Sequence, residues 1–438
     1  MAHGKHTRRE FLRRGALAGA AMAAPYVLTS AALGAEGKAA ASDRVAIGIV
    51  GPGRMGGGHI GGASRLGRLV AFADVNLPRA QAAAKRFKGS KAFQDYRKML
   101  DLKEMDAVVV ATPDHWRALV CIHACQAGKD IYAEKPMTLT IREGRLMVQA
   151  VRKYGRVFQT GSQQRSMAKN RLGCELIRNG RIGKVKKVIA SNYPSPWECG
   201  LPAQPVPQGL DWDMWCGPTE VVPYHKDIYT PRANPGWISF RPWSGGEMTG
   251  WGAHGLDQIQ WALGMDESGP IEIWTKGPKF NPPTYTKPEG RGRGEKICRV
   301  PTIFMKYPGD IIMEFGRGPG GGGIFIGEKG MIRIDRGRVS SDPPELAKEP
   351  LVDPKVKLYV SNSHMRNWID CIKSRKKPVA DVEIGHRSST VCHLGNIARW
   401  LGRRVKWDPE KEEFIGDDEA NTYLDRPRRK PYTMPETL

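Results

Sequence analysis

A glycine-rich turn at residues 51–56 is the first feature of the chain with the spacing of a binding site. These residues have the form G-x-G-x-x-G, and they lie between the apolar run 44–50 and a predicted helix. In such a pattern Gly51 allows a tight turn, and Gly53 lets the backbone approach a pyrophosphate closely. Gly56 allows the helix to pack closely on the strand. The helix N-terminus directs free N–H groups at phosphates. The pattern predicts a dinucleotide site that includes Arg54 and Met55.

Asp74 ends the next apolar run. A carboxylate about 20 residues beyond such glycines is placed to bind the ribose 2′-hydroxyl of the cofactor. Because it would repel a 2′-phosphate, Asp74 favours NAD over NADP, although the nearby Arg79 keeps NADP possible. The alternative is that Asp74 only forms the turn after the strand.

Two further predicted strands end in polar residues. The segment Thr112-Pro113-Asp114-His115 follows one strand, and Glu134-Lys135-Pro136 follows the next. Ligands of open α/β sheets bind at the carboxyl ends of the strands, so Thr112, Pro113, His115 and Glu134 are predicted to contact the cofactor. Lys135 could also hydrogen-bond a substrate hydroxyl and stabilise alkoxide character as a hydride leaves.

The order of predicted elements places these residues on an α/β fold. Strands alternate with helices over residues 44–163, which predicts a Rossmann-type, doubly wound parallel sheet that binds NAD(P). Residues 164–438 contain β-branched strand-like runs and helices, which predict an α+β domain with a mostly antiparallel sheet.

Residues 1–34 resemble a twin-arginine signal peptide. Arg8 and Arg9 precede Phe11 and Leu12, and a short, weakly apolar run rich in Ala and Gly follows. The expected location is periplasmic or otherwise extracytoplasmic; a basic arm beside a chance apolar run is the alternative. No later segment approaches about 20 consecutive apolar residues, so no stable membrane insertion is predicted.

The chain carries a formal charge of +23, but its basic residues are scattered. Without a helix-turn-helix or zinc-finger pattern, this charge does not predict a nucleic acid partner. A solvated basic surface and an acidic or sulfated sugar partner both stay open. No metal ligands are assigned.

Together the motifs make the chain resemble the Gfo/Idh/MocA family, which includes glucose–fructose oxidoreductase and inositol dehydrogenase. Beyond those above, the similar segments are residues 161–165, Gly245-Gly246, Gly252-Ala253-His254 and Asp257. Residues 210–215, 217–218, 366–375 and 381–386 are similar to a secreted subgroup common in planctomycete-type bacteria.

The resemblance implies hydride transfer between nicotinamide and a sugar or cyclitol carbon. Lys135 would be the family lysine, and His254 would be the acid/base, as suits a group that titrates near neutral pH. It also implies that Gln163 contacts the cofactor and that the antiparallel sheet pairs subunits in a homo-oligomer. Arg165, Asp257 and Trp251 are assigned to the substrate, Trp251 through its aromatic face.

Two departures from the family pattern leave other functions open. Gly250 stands where relatives carry an aspartate four residues before the histidine, and Arg117 replaces a second histidine. Asp257 could supply part of the missing role. The alternatives are a redox-neutral glycosidase, lyase or epimerase that recycles NAD internally, and a non-catalytic sugar-binding protein. Export adds the expectation of a tightly bound cofactor, because no dissociable NAD(H) pool is maintained outside the cytoplasm.

Overall fold

The computed structural model describes residues 44–230, 236–287, 300–435 and 438. The predicted signal peptide at residues 1–34 lies outside the described residues. Across the described part of the chain, no helix combines the length and apolar character needed to cross a bilayer.

The apolar runs of the first part of the chain form a six-stranded parallel sheet. Its strands are β1 (Ala46–Val50), β2 (Arg68–Ala73), β3 (Lys91–Phe93), β4 (Ala107–Val110), β5 (Asp130–Ala133) and β6 (Phe158–Thr160). They lie in the order β3-β2-β1-β4-β5-β6. Every residue of β1, β4 and β5 is buried, as expected for strands covered on both faces. This confirms the predicted doubly wound sheet.

Helices connect these strands. They are α1 (Arg54–Leu66), α2 (Leu77–Ala84), α3 (Tyr96–Leu100), α4 (Asp114–Gln126) and α5 (Ile141–Lys153). The last begins after Thr140, whose side chain accepts a hydrogen bond from the Glu143 N–H at 3.2 Å and caps the helix.

A second sheet has nine strands. They are β7 (Val185–Ser191), β8 (Glu272–Lys276), β9 (Thr302–Tyr307), β10 (Ile311–Gly316), β11 (Gly322–Gly327), β12 (Gly330–Asp335), β13 (Arg338–Asp342), β14 (Val405–Asp408) and β15 (Glu413–Phe414). Their order is β13-β12-β11-β7-β10-β9-β8-β14-β15. β7 and β10 pair in parallel and the other described pairs are antiparallel, which confirms the predicted mostly antiparallel sheet.

The remaining helices cover these sheets or lie beside them. They are α6 (Ala168–Arg178), α7 (Trp212–Cys216), α8 (Lys226–Tyr229), α9 (Glu247–Gly250), α10 (Gly252–Leu263), α11 (Glu345–Lys348), α12 (His364–Ser374), α13 (Val382–Leu401) and α14 (Asp418–Asn421). Leu256 of α10 and Leu394 of α13 pack in one core with Phe325 of β11. α12 packs on the first sheet instead, where Trp368 shares a core with Phe72. Residues late in the chain thus complete the first core.

Candidate active site

One cavity of about 340 Å³ lies at the carboxyl ends of the parallel strands. It is also lined by His254 of α10 and by Arg336 of the β12–β13 turn, which lies at the edge of the second sheet. Most residues that the sequence assigned to the site line it: Gly51, Gly53, Arg54, Met55, Asp74, Thr112, Pro113, Glu134, Lys135, Gln163, Trp251 and His254.

The glycine turn has the geometry that its spacing predicts. Gly51 has φ of 79°, and a Cβ there would lie 2.9 Å from the Ala111 carbonyl oxygen. A Cβ at Gly56 would lie 2.1 Å from the Gly51 carbonyl oxygen, so only glycine lets α1 pack this closely. Gly53 is the N-cap of α1 and supplies no capping side chain. The first N–H groups of α1 are therefore suited to bind a phosphate.

Asp74 lies directly after β2, where a ribose-binding carboxylate is expected. It accepts hydrogen bonds from the Asn76 N–H at 2.9 Å and from Arg79 Nη1 at 3.2 Å. Burial raises the pKa of Asp74, and the charge of Arg79 opposes that shift. Arg79 also lies over the Tyr229 ring, with its guanidinium carbon 5.3 Å from the ring centroid. The carboxylate thus reaches the cavity with a cation beside it.

His115 does not line the cavity, which corrects its predicted cofactor contact. It is fully buried, and its Nε2 donates to the Trp215 carbonyl at 2.8 Å. Burial lowers the pKa of His115 to about 3, so the ring is neutral. The residue is structural and joins α4 to α7.

Arg117, noted in the sequence only as a departure from the family, connects the two strand ends. Its guanidinium is nearly fully buried and donates to Asp114 Oδ1 at 3.1 Å. It also donates to the carbonyl oxygens of Thr112 and Pro136. Arg117 thus holds the loop after β4 against the loop that carries Lys135.

Glu134 is paired with His59 of α1, a residue that the sequence analysis missed. His59 Nε2 lies 2.7 Å from Glu134 Oε1. Burial alone would raise the pKa of Glu134, but the hydrogen bond and charge of His59 bring it down to about 2. The carboxylate is ionised at neutral pH and anchors β5 to the helix that follows the glycine turn.

Lys135 and His254 line the same cavity, Lys135 from the loop after β5 and His254 from α10. Lys135 Nζ donates to the Gly250 carbonyl at 3.0 Å, so the position that lacks the family aspartate still contacts this lysine through its main chain. His254 lies in the first turn of α10 and is 6% exposed. The Trp251 ring contacts the imidazole edge-on, with centroids 5.7 Å apart. An ammonium and an imidazole that line one cavity can stabilise an oxyanion and exchange a proton.

Arg165 and Asp257 do not line the cavity, which corrects their assignment to the substrate. Both are 1% exposed, and Arg165 Nε lies 2.9 and 3.0 Å from the two oxygens of Asp257. Ser388 Oγ donates to Asp257 at 2.8 Å, and Arg165 Nη2 donates to Asp266 at 2.7 Å. Because its carboxylate is engaged in this way, Asp257 does not replace the carboxylate missing at residue 250.

Family models match most of the described chain. The model described as "Oxidoreductase family, NAD-binding Rossmann fold" (Gfo/Idh/MocA) matches residues 45–162. The model of the same family's C-terminal alpha/beta domain matches residues 181–287 and 326–434.

Individual relatives match over about a third of this chain. The chain is 32% identical over 150 residues to inositol 2-dehydrogenase of Rubrobacter xylanophilus, covering 32% of this chain and 42% of that one. It is 30% identical over 149 residues to levoglucosan dehydrogenase of Pseudarthrobacter phenanthrenivorans, covering 32% and 38%. The matches thus span less than half the length of these curated relatives.

The solved structure of aldose–aldose oxidoreductase from Caulobacter crescentus has a similar fold. It covers 83% of this chain and 99% of its own, with a TM-score of 0.55 and 18% identity.

Proposed function

Because the chain belongs to the Gfo/Idh/MocA oxidoreductase family, we propose that it is an NAD-dependent oxidoreductase of sugars or cyclitols. It transfers a hydride between nicotinamide and a carbon that carries a hydroxyl or carbonyl group. The observation that carries this proposal is the shared cavity of Lys135, His254 and the glycine turn. The inositol and levoglucosan dehydrogenases among its relatives support the substrate class.

The residues of the cavity fit the cofactor. A side chain at Gly51 would clash, Gly53 leaves the start of α1 open, and Asp74 is placed for a ribose hydroxyl. NAD(H), when bound, supplies the hydride acceptor or donor.

The protein's own part in the reaction is electrostatic stabilisation and proton exchange. Lys135, oriented by the Gly250 carbonyl, stabilises negative charge on the substrate oxygen as the hydride leaves. His254, which lines the same cavity, accepts the hydroxyl proton.

The test is a screen of NAD-loaded protein against a panel of sugars and cyclitols. Nicotinamide absorbance and product mass are followed together. We expect at least one compound to be oxidised with an equal amount of NADH formed. No turnover of any compound, with binding unaffected by His254→Ala or Lys135→Ala, would instead indicate a non-catalytic sugar-binding protein.

The glycine at residue 250 favours one second candidate, a redox-neutral carbohydrate enzyme. Such an enzyme oxidises its substrate, alters it and reduces it back, so the hydride returns to the same molecule. In the same screen it would give a product of changed mass or configuration without net NADH.

We also propose export by the twin-arginine route with the cofactor already bound. The paired Arg8 and Arg9 support this proposal, since proteins of that route carry such a motif. Cells that produce the full chain are fractionated, and the purified mature protein is denatured to release nicotinamide. Retention in the cytoplasm, or protein that lacks nicotinamide until NAD is added, would contradict the proposal.

We propose NAD rather than NADP as the cofactor, because the Asp74 carboxylate would repel a 2′-phosphate. The variant Asp74→Asn tests this argument. Loss of the charge is expected to weaken NAD binding by about tenfold, the value of a charge-assisted hydrogen bond. It should also narrow the preference for NAD over NADP, because the repulsion of a 2′-phosphate is removed. Calorimetric titration with both cofactors measures this. Equal affinity of the unmodified protein for NAD and NADP would refute the assignment.

The proposed homo-oligomer would use the face of the second sheet opposite α10 and α13. Ile189, Phe304 and Ile324 alternate with core residues along their strands and are half-buried in the single chain. Ile324→Asp is expected to shift the protein to a smaller species in light scattering after size exclusion, because a carboxylate would be buried at the interface. Val360→Asp, at an exposed valine elsewhere, is the control. A monomeric unmodified protein would contradict the proposal.

A further inference from the structure

Arg336 is a cavity residue that neither the sequence motifs nor the proposed hydride transfer uses. It lies in the turn between β12 and β13 and lines the cavity together with Lys135 and His254. Its guanidinium carbon lies 5.3 Å from the centroid of the Trp251 ring, the same ring that contacts His254. A cation–π contact holds a guanidinium in place without neutralising its charge.

The charges of the cavity lining do not balance. Its carboxylates, Asp74, Asp114 and Glu134, each have a basic partner within 3.2 Å. Arg54 and Arg336 form no ion pair with any residue in the described ranges 44–230, 236–287 and 300–435. Arg54 begins the helix after the glycine turn, where a pyrophosphate is expected, which accounts for one of the two charges.

The carboxylate next to Arg336 in the sequence does not neutralise it. Asp335 Oδ1 accepts a hydrogen bond from the Gly321 N–H at 3.1 Å, and its Oδ2 lies 3.7 Å from Arg333. Asp335 is therefore engaged by Gly321 and Arg333, and the charge of Arg336 is left for a ligand of the cavity.

We propose that Arg336 binds a carboxylate of the substrate, and that the substrate is a sugar acid of the hexuronate type rather than a neutral sugar. This inference rests on the proposed function, whose site it extends. A guanidinium pairs with a carboxylate through two parallel hydrogen bonds, which neutral hydroxyls do not match in strength. Trp251, which contacts both Arg336 and His254, offers an aromatic ring to the sugar.

Equilibrium binding to NAD-loaded protein tests this assignment. D-Glucuronate, D-galacturonate and D-mannuronate are titrated calorimetrically beside the corresponding neutral hexoses. We expect at least one hexuronate to bind ten times or more tightly than its hexose. Arg336→Gln should weaken binding of that hexuronate by about 10- to 100-fold, the range for a hydrogen bond to a charged group, and change the hexose affinity far less.

Arg338→Gln is the matched control, because Arg338 is an exposed arginine of the same hairpin outside the cavity lining. It should retain the hexuronate affinity. Three results would overturn the assignment: no hexuronate preferred over its hexose, a phosphate or sulfate ester of the hexose bound more tightly than the hexuronate, or Arg336→Gln weakening NAD instead of the sugar acid. Binding requires no turnover, so these failures differ from an absence of NADH formation with every sugar, which would refute the proposed function.

Discussion

Replacing Lys135 with methionine is expected to lower kcat for substrate oxidation by about 100- to 1,000-fold, the effect of removing one donor to a developing oxyanion. Methionine keeps much of the side-chain length but removes the ammonium that the Gly250 carbonyl orients. Because this charge acts mainly in the transition state, kcat should fall far more than substrate affinity. Steady-state kinetics with the best compound of the screen, together with the NAD dissociation constant, measure the two effects separately.

The control for this variant is Lys91→Met. Lys91 lies on the edge strand β3, and its side chain is 54% exposed in an ion pair with Glu104. Exposed pairs contribute little to stability, so activity and thermal stability should stay close to those of the unmodified protein. Full activity of Lys135→Met in a correctly folded protein would exclude Lys135 from the chemistry.

The parts of the site that depend on local sequence were predictable. The G-x-G-x-x-G spacing fixes a turn that requires φ of 79° at Gly51, and the apolar runs fix where the strands end. Parallel strands then bring their carboxyl ends to one edge of the sheet. Asp74, Lys135 and Thr112 were located by these rules without knowledge of any distant contact.

The direction in which a side chain points was not predictable from local sequence. His115 is turned inward by a carbonyl 100 positions away in the chain, and Arg165 by a carboxylate 92 positions away. His59 contacts Glu134 across 75 positions. Such contacts depend on how loops and helices pack on the two sheets. The hydrophobic periodicity of the sequence does not predict that packing.

Replacing Arg165 with methionine is expected to reduce the free energy of unfolding by about 3–5 kcal/mol, the usual cost of removing one partner from a buried ion pair. Asp257 is 1% exposed in the unmodified protein, and in the variant its carboxylate would keep the hydrogen bond from the Ser388 hydroxyl but lose its cationic partner. Urea unfolding at neutral pH measures the change. Arg171→Met, which removes a partly exposed pair with Glu175, should cost under about 1 kcal/mol. Similar losses in the two variants would contradict the buried-pair argument.

The pH dependence of this loss identifies its cause. Burial raises the pKa of Asp257 in the folded protein, and Arg165 opposes that shift. Without Arg165 the folded-state pKa should rise further above the unfolded value, so the variant loses stability as the pH rises through and above the unfolded pKa. Below that pH Asp257 is protonated in both states, and the difference from the unmodified protein should shrink. The double variant R165M/D257L leaves no buried charge at this position and should recover much of the loss at neutral pH. A double variant as unstable as Arg165→Met would show that packing, and not the unpaired carboxylate, determines the loss.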